Sequence, residues 1–262
     1  MRLSARRISP GTAEGTALVS ASPFSFVGGV DPMTGTVQDE ATGLRNEGVA
    51  GRVFAFPTGK GSTVGSYVVY GLAKRGIGPA ALINERAEAI VAVGAILGGI
   101  PMVDRVDLGG ILTGDRTVVD ADAGHVDLPE VEAKPVVSAF LRSRGRFLVV
   151  RRSEKVGTFQ GRWSAVSGYV EGGEDPRDRA LQEIREETRI AHARFVAAGR
   201  PVVTRHGSTA FVVHPYLFDV GTRKVTLDWE NVEFRWIAPD ELAGLETVPR
   251  LDAVLSSALK GQ

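Results

Sequence analysis

The chain contains no cysteine, which excludes a disulfide framework, a thiol nucleophile and any zinc or iron–sulfur centre held by its own thiolates. An excess of either charge is missing too. Its 31 basic and 31 acidic residues cancel, and no Lys/Arg run is dense enough for a nucleic-acid footprint, so nucleic acid is not an expected partner. Long hydrophobic runs are also absent. The longest, Ala89 to Met102, carries Gly94, Gly98 and Gly99 and is too short to span a bilayer, while the opening MRLSARRISPGTAEG is charged with no apolar segment behind it. A cytoplasmic protein without a membrane partner is the expectation. With 262 residues the chain is about twice a typical domain, so two domains are expected.

Acidic residues concentrate between Gly168 and Ile190 (GYVEGGEDPRDRALQEIREETRI). Asp175 followed by Pro176 reads as an N-cap with proline at the first helical position, and Ala180, Leu181 and Ile184 supply an apolar stripe. A helix from Pro176 to Thr188 follows. On it Glu183, Glu186 and Glu187 stand at i, i+3 and i+4, which predicts three carboxylates on one face about one turn long. A hard divalent cation such as Mg²⁺ would turn their repulsion into affinity. The alternative is a solvated face balanced by Arg177, Arg179, Arg185 and Arg189.

This stretch resembles the Nudix box, with Gly168, Glu174, Glu183, Ile184, Glu186, Glu187 and Ile190 in register. Gln182 stands where the family has Arg, and Arg189 where it has Gly. The lead-in GRWSAVSG and the later segment DWENVEFRWIAPDEL are similar to Nudix proteins as well. The resemblance implies an α/β/α sandwich that cleaves a small-molecule diphosphate. Its cation, Mg²⁺ with Mn²⁺ as an alternative, would be held by the Gly168 carbonyl, Glu183, Glu186 and Glu187, and the family's Arg would help to orient the glutamates. Glu186 and Glu187 are candidate catalytic residues, and Glu230 is either a further ligand or base, or a solvated loop acid. Arg151, Arg152 and Lys155 read either as a basic rim for phosphate or as a solvated strand end. Phe159, Tyr169 and Trp229 are expected in the core rather than stacked on a ligand, and the four histidines show no shared ligand spacing.

The first half reads as short strands with glycine-rich turns. Strands are expected at Glu14–Ser20, Gly51–Phe56, Pro79–Asn84 and Pro101–Val106, and a helix from Tyr67 to Lys74. Before that helix, PTGKGSTVGS is either an ordinary connection or an anion cradle, with backbone N–H groups, a helix N-terminus and Lys60; the spacing is not that of a P-loop. FVGGVDPMTGTVQD, GVAGRVFAFPTGKGSTVGSYVVYGL and GPAALINERAEAIVAVGAILGGIPMVD resemble, in order, the small swivelling domain of the aconitase X family, which includes the small subunit of archaeal phosphomevalonate dehydratase. That resemblance implies a β/β/α domain docking on a separate large dehydratase subunit that carries an iron–sulfur cluster. Ser62 would be the catalytic base, with Ser66 as the alternative, and Lys60, Gly61 and Ser66 would lie around the substrate. After DPMTG the chain departs from the family, with Asp39-Glu40-Ala41-Thr42-Gly43 where basic residues and a His-Pro are usual.

The expected organisation is α/β (α+β): a swivelling domain over residues 1–128, a proline-bounded linker over 129–134, and a Nudix domain over 135–262. In the second domain strands are expected at Val136–Phe140, Phe147–Val150, Phe195–Thr204, Ala210–Val220 and Phe234–Ile237, with a closing helical region from Pro239. The expected function is a bifunctional chain that combines a Mg²⁺-dependent hydrolase of a nucleoside or isoprenoid diphosphate with a dehydratase small-subunit-like domain; the alternative is a dehydratase small subunit whose second half only senses a ligand.

Overall fold

The computed structural model describes residues 1–261, so Gln262, the last residue of the expected second domain, lies outside the described residues. The chain divides into two compact units, Met1–Glu132 and Ala133 onwards. Among the described residues no helix is long and apolar enough to cross a membrane.

In the first unit, β1 (Arg2–Ser4), β2 (Arg6–Ser9) and β3 (Thr12–Val19) precede a short broken turn, α1 (Phe26–Gly29). Then come β4 (Val53–Phe56), α2 (Val64–Lys74), β5 (Ala81–Asn84), α3 (Ala89–Gly98), β6 (Met102–Asp104), β7 (Arg116–Asp120) and β8 (His125–Asp127). The strand order is β1-β8-β7-β3-β4-β5-β6-β2. One residue, Ala5, joins β1 and β2, the strands at the two ends of that order. β3 belongs to two layers: Thr12–Thr16 pair antiparallel with β7, and Ala17–Val19 pair parallel with β4. β4 and β5 are buried on both sides, as parallel strands beneath crossover helices must be, which is why VFAF and ALIN read as unbroken apolar runs.

β1 and β2 are additions to the expected elements, since their short, charged sequences carry no strand periodicity. They are held by ladder pairing with β8 and β6, to which long-range ion pairs add. Arg2 meets Asp127 at 2.8 Å, and Arg6 makes a two-pronged contact with the buried Asp104 at 2.8 and 2.7 Å. Phe24, Phe26, Phe54 and Phe56 form the aromatic centre of the core, with ring centroids 4.8 to 6.3 Å apart. α2 begins three residues before the expected Tyr67 and packs on α3 through Gly94, where an added Cβ would stand 2.7 Å from Val69 Cβ and 2.9 Å from the Ser66 carbonyl.

The second unit comprises β9 (Glu132–Ser143), β10 (Arg146–Arg152), β11 (Trp163–Ser164), β12 (Val166–Tyr169), α4 (Pro176–Thr188), β13 (Arg194–Ala198), β14 (Val202–His206), β15 (Thr209–Asp219), β16 (Asn231–Ile237) and α5 (Leu251–Lys260). Its sheet has a layer of side chains on each face. Val137, Ala139 and Leu141 of β9 with Leu148 and Val150 of β10 pack on Ala180 and Ile184 of α4. Phe140, Phe147 and Val149, one residue out of phase, pack on Leu251, Val254 and Leu255 of α5. The period of two in the strands thus builds the α/β/α sandwich.

Several boundaries move. β9 starts at Glu132, inside the stretch expected as a linker, and the Met1 ammonium donates to the Leu128 and Val131 carbonyls at 2.7 Å, so most of that stretch is structured. The single strand expected over 195–204 is two, β13 and β14. They break at Gly199, where a Cβ would come within 2.4 Å of the Ser257 carbonyl carbon, a position only glycine fits. The closing region opens as a 3-10 turn, Pro239–Gly244, before α5.

Candidate active site

The local chemistry of the acidic stretch produces the expected helix. Asp175 accepts from the N–H groups of Arg177 (2.8 Å) and Asp178 (3.2 Å), Pro176 starts α4, and Arg189 ends it in the left-handed conformation at φ 59°. α4 lies against β12, which brings its inward face to Gly168. A Cβ on Gly168 would stand 1.7 Å from Glu183 Oε1, so this glycine is what lets the carboxylate reach the strand.

The three box carboxylates do not share one face. Glu183 (5% exposed) and Glu187 (3%) point inward, whereas Glu186 is exposed on the flank. The helix accounts for this: residues i and i+4 are about 40° apart, and i+3 falls about 60° to the other side of i. Among the described residues no group of three or more His, Cys, Asp or Glu side chains is assembled in a metal-holding arrangement. Each carboxylate instead has its own donor. Arg179 pairs with Glu183 Oε1 one turn earlier on α4. Gln182 Nε2 donates to Glu186 Oε1 at 2.8 Å. Glu187 accepts the Ser167 N–H on Oε1 at 2.9 Å and Asn231 Nδ2 on Oε2 at 2.7 Å.

Burial is the main influence on these acids. It pushes the Glu183 carboxyl up to about 6, with Arg179 opposing and Glu186 and Glu230 reinforcing. Glu187 is pushed well above the usual carboxylate range by burial, against the pull of the Ser167 N–H. Glu230 is raised by burial and by Asp228, with Arg152 and Arg179 opposing.

Glu183 opens onto a cavity of about 410 Å³. Arg152, Lys155, Arg179, Glu171 and Glu230 line it with Gly168, and Phe211, Val213, Val248 and Leu251 form apolar wall. Of the expected basic rim, Arg152 and Lys155 reach the cavity and Arg151 does not. Arg151 donates to the Gly161 carbonyl at 3.2 Å and lies 3.5 Å from Glu233, on the other side of a strand whose register shifts between residues 151 and 152. Tyr169 (52% exposed) and Trp229 (59%) line the cavity, contrary to the core positions expected for them, whereas Phe159 lines it and also packs on the core. Arg179 and Asn231 escaped the sequence reading as site residues. Arg179 is one arginine among four on a charged helix, and Asn231 carries no signal beyond adjacency to Glu230.

In the first unit the glycine-rich turn joins β4 to α2 as expected. Ser62 is exposed, and its Oγ accepts the Val64 N–H at 3.3 Å. Gly61 adopts φ 106° beside Ser25, and the Lys60 N–H donates to the Phe24 carbonyl at 2.9 Å. The Gly65 and Ser66 amides bond to the Ser62 and Thr63 carbonyls, and Ser66 Oγ donates to the Thr63 carbonyl at 2.7 Å. The first amides of α2 are therefore engaged within the turn.

The chain thus carries an α/β domain followed by an α/β/α sandwich whose cavity is lined by both acidic and basic side chains. Residues 2–128 match the Aconitase X swivel domain and residues 133–257 the NUDIX domain. The phosphomevalonate dehydratase small subunit of Methanocaldococcus jannaschii is 54% identical over 128 residues, which are 49% of this chain and 98% of that protein. The protein of the same name from Thermococcus sibiricus is 53% identical over 130 residues, 50% of this chain and all of that one. Among solved structures, Thermococcus kodakaraensis aconitase X is similar at 51% identity and a TM-score of 0.48, over 49% of this chain and 98% of that one. The MutT protein of Methanosarcina mazei is similar at 26% identity and a TM-score of 0.44, over 50% and 96%. The chain belongs to the aconitase X swivel family through its first half and carries a NUDIX domain in its second.

Proposed function

We propose that the second unit hydrolyses a diphosphate linkage with the help of a divalent cation. The observation that carries this is Glu183, buried behind Gly168 with the buried Glu187 one turn further along the helix, opening onto a cavity that also presents Arg152 and Lys155. The donor set fits Mg²⁺ or Mn²⁺: it is made of hard oxygens only, and both inward carboxyls are raised, Glu183 by burial and by Glu186 and Glu230, Glu187 by burial and by Glu183, a cost that a cation relieves. The Gly168 carbonyl, Glu183 and Glu187 would hold it, with Glu186 joining after leaving Gln182. Bound there, a divalent cation neutralises phosphate charge and lowers the pKa of a water. Arg152 and Lys155 bind and orient the phosphates, the apolar wall excludes water from the organic part of the substrate, and Glu230, which lines the cavity and is raised by burial, would take a proton.

The test is Mg²⁺-dependent release of phosphate or monophosphate from a panel of nucleoside and isoprenoid diphosphates by the isolated chain, which Glu187→Gln abolishes. A variant as fast as wild type would sink the site assignment. Tight binding without turnover would favour a ligand sensor.

A second reading concerns the first unit and is favoured by the 53–54% identity to dehydratase small subunits across almost their whole length. It acts as a small-subunit domain completed by a large subunit that holds the iron–sulfur cluster for which this chain has no cysteine. Ser62 serves as base, with Lys60, Gly61 and Ser66 around the substrate. Val27, Val64 and Tyr67, on or beside the first turn of α2 and all exposed, would be covered by that partner. Co-purification with a cysteine-containing large chain, and dehydratase activity lost in Ser62→Ala, is the expected result; a chain that purifies alone and gains nothing from such a partner refutes it.

A further inference from the structure

Arg179 is an only partly satisfied charged group at the cavity. One arm, Nη2, pairs with Glu183 Oε1, while Nε is buried and has no hydrogen-bond partner. A guanidinium offers five donors in a rigid fork, and leaving a buried one without an acceptor costs free energy. The side chain is 22% exposed and stands in the same wall as Arg152 and Lys155. Arg152 is already anchored, its Nε donating to the Thr158 carbonyl at 3.0 Å.

The oxygen that Arg179 holds is also the one beside Gly168, the position a cation would need. Arg179 and a cation therefore compete for Glu183. The charge count points the same way. Three basic side chains (Arg152, Lys155, Arg179) and three acidic ones (Glu171, Glu183, Glu230) line the cavity, so it is balanced without a ligand. A divalent cation alone would leave it positive; a cation together with a diphosphate restores the balance.

We propose that Arg179 is an exchangeable counter-ion, pairing with Glu183 when no cation is bound and turning to an anionic oxygen of the substrate when a cation takes Glu183. This rests on the cation-dependent reading of the same cavity. Arg179 is then a substrate-binding residue that masks its own cation site, and the two ligands enter cooperatively because each releases the group that the other needs.

The exchange predicts effects of opposite sign, which a merely structural arginine would not produce. By calorimetric titration, Arg179→Ala should bind Mn²⁺ more tightly than wild type, by about threefold to tenfold, since a competing positive charge is gone. In saturating Mg²⁺ it should bind inorganic pyrophosphate about tenfold more weakly. Arg179→Lys should fall between on both scales, and serves as the test if the alanine variant fails to fold by circular dichroism. Mn²⁺ affinity that is unchanged or weaker, or pyrophosphate binding that is unchanged, overturns the exchange while leaving the cation site intact. Wild-type protein that binds no Mn²⁺ overturns the cation reading and the exchange together.

Discussion

Replacing Glu187 with glutamine should stabilise the second unit while destroying its chemistry. The carboxyl is 3% exposed, and burial holds its pKa well above the ordinary value. A carboxyl raised in this way binds its proton more tightly in the folded state than in the unfolded one. Stability is therefore fully present below the unfolded pKa, and is lost as pH rises through the folded one. Above the folded pKa the buried charge is in place and the folded protein bears its cost. Glutamine keeps an acceptor for the Ser167 N–H, and Asn231 can turn its amide to accept from the new NH₂, so neither present partner need be orphaned. The gain should be about 2 kcal/mol, the size typical of relieving one poorly compensated buried polar group, or about 4–8 °C in melting temperature for a unit of this length. All three tryptophans, Trp163, Trp229 and Trp236, lie in this unit, so fluorescence melts of the full chain report on it alone. In chelator, at alkaline pH, the variant should melt higher than wild type, and the gap should close on acidification as the wild-type carboxyl takes up its proton. Added Mg²⁺ should raise the wild-type melting temperature and leave the variant's unchanged. A variant that melts at or below wild type in chelator, or a gap indifferent to pH, would refute the buried-charge argument.

Gly168→Ala should cut hydrolysis by about 100-fold, because the new Cβ takes the place of Glu183 Oε1, 1.7 Å away; near-normal turnover would show that Glu183 is not needed where it stands. Gly94→Ala, whose Cβ would meet Val69 Cβ at 2.7 Å, should destabilise the first unit by about 1–3 kcal/mol, read as a lower urea midpoint by hydrogen exchange of α2 and α3 amides. Burial pushes the Asp104 carboxyl up, but the Arg6 hydrogen bonds and the Ala87 N–H outweigh it and hold it below its ordinary value. Its contribution is therefore present at neutral pH and lost as pH falls through the folded pKa. Arg6→Ala should lower the melting temperature of the first unit at neutral pH and flatten its acid dependence; an unchanged acid limb would count against the pair.

α4 was legible residue by residue, from the Asp175 cap to the left-handed Arg189, because caps and a 3.6-residue stripe act over a few neighbouring positions. So were β4 and β5, whose apolar runs need no distant partner to be recognised. β1 and β2 were not, since Arg2 and Arg6 find Asp127 and Asp104 across about a hundred residues of chain. Arg151 and Arg152 look equivalent in sequence, yet strand alternation and a register shift send one to Glu233 and the other to the cavity.

The acidic stretch shows the division most clearly. Sequence alone determined that Glu183, Glu186 and Glu187 occupy one helix, since spacing and caps are local properties of the chain. Only the tertiary structure decided which of them face inward, because that depends on where β12 lies against α4. It also decided what each carboxylate meets, Arg179, Gln182 or Asn231, because hydrogen-bond partners are chosen by distance in space.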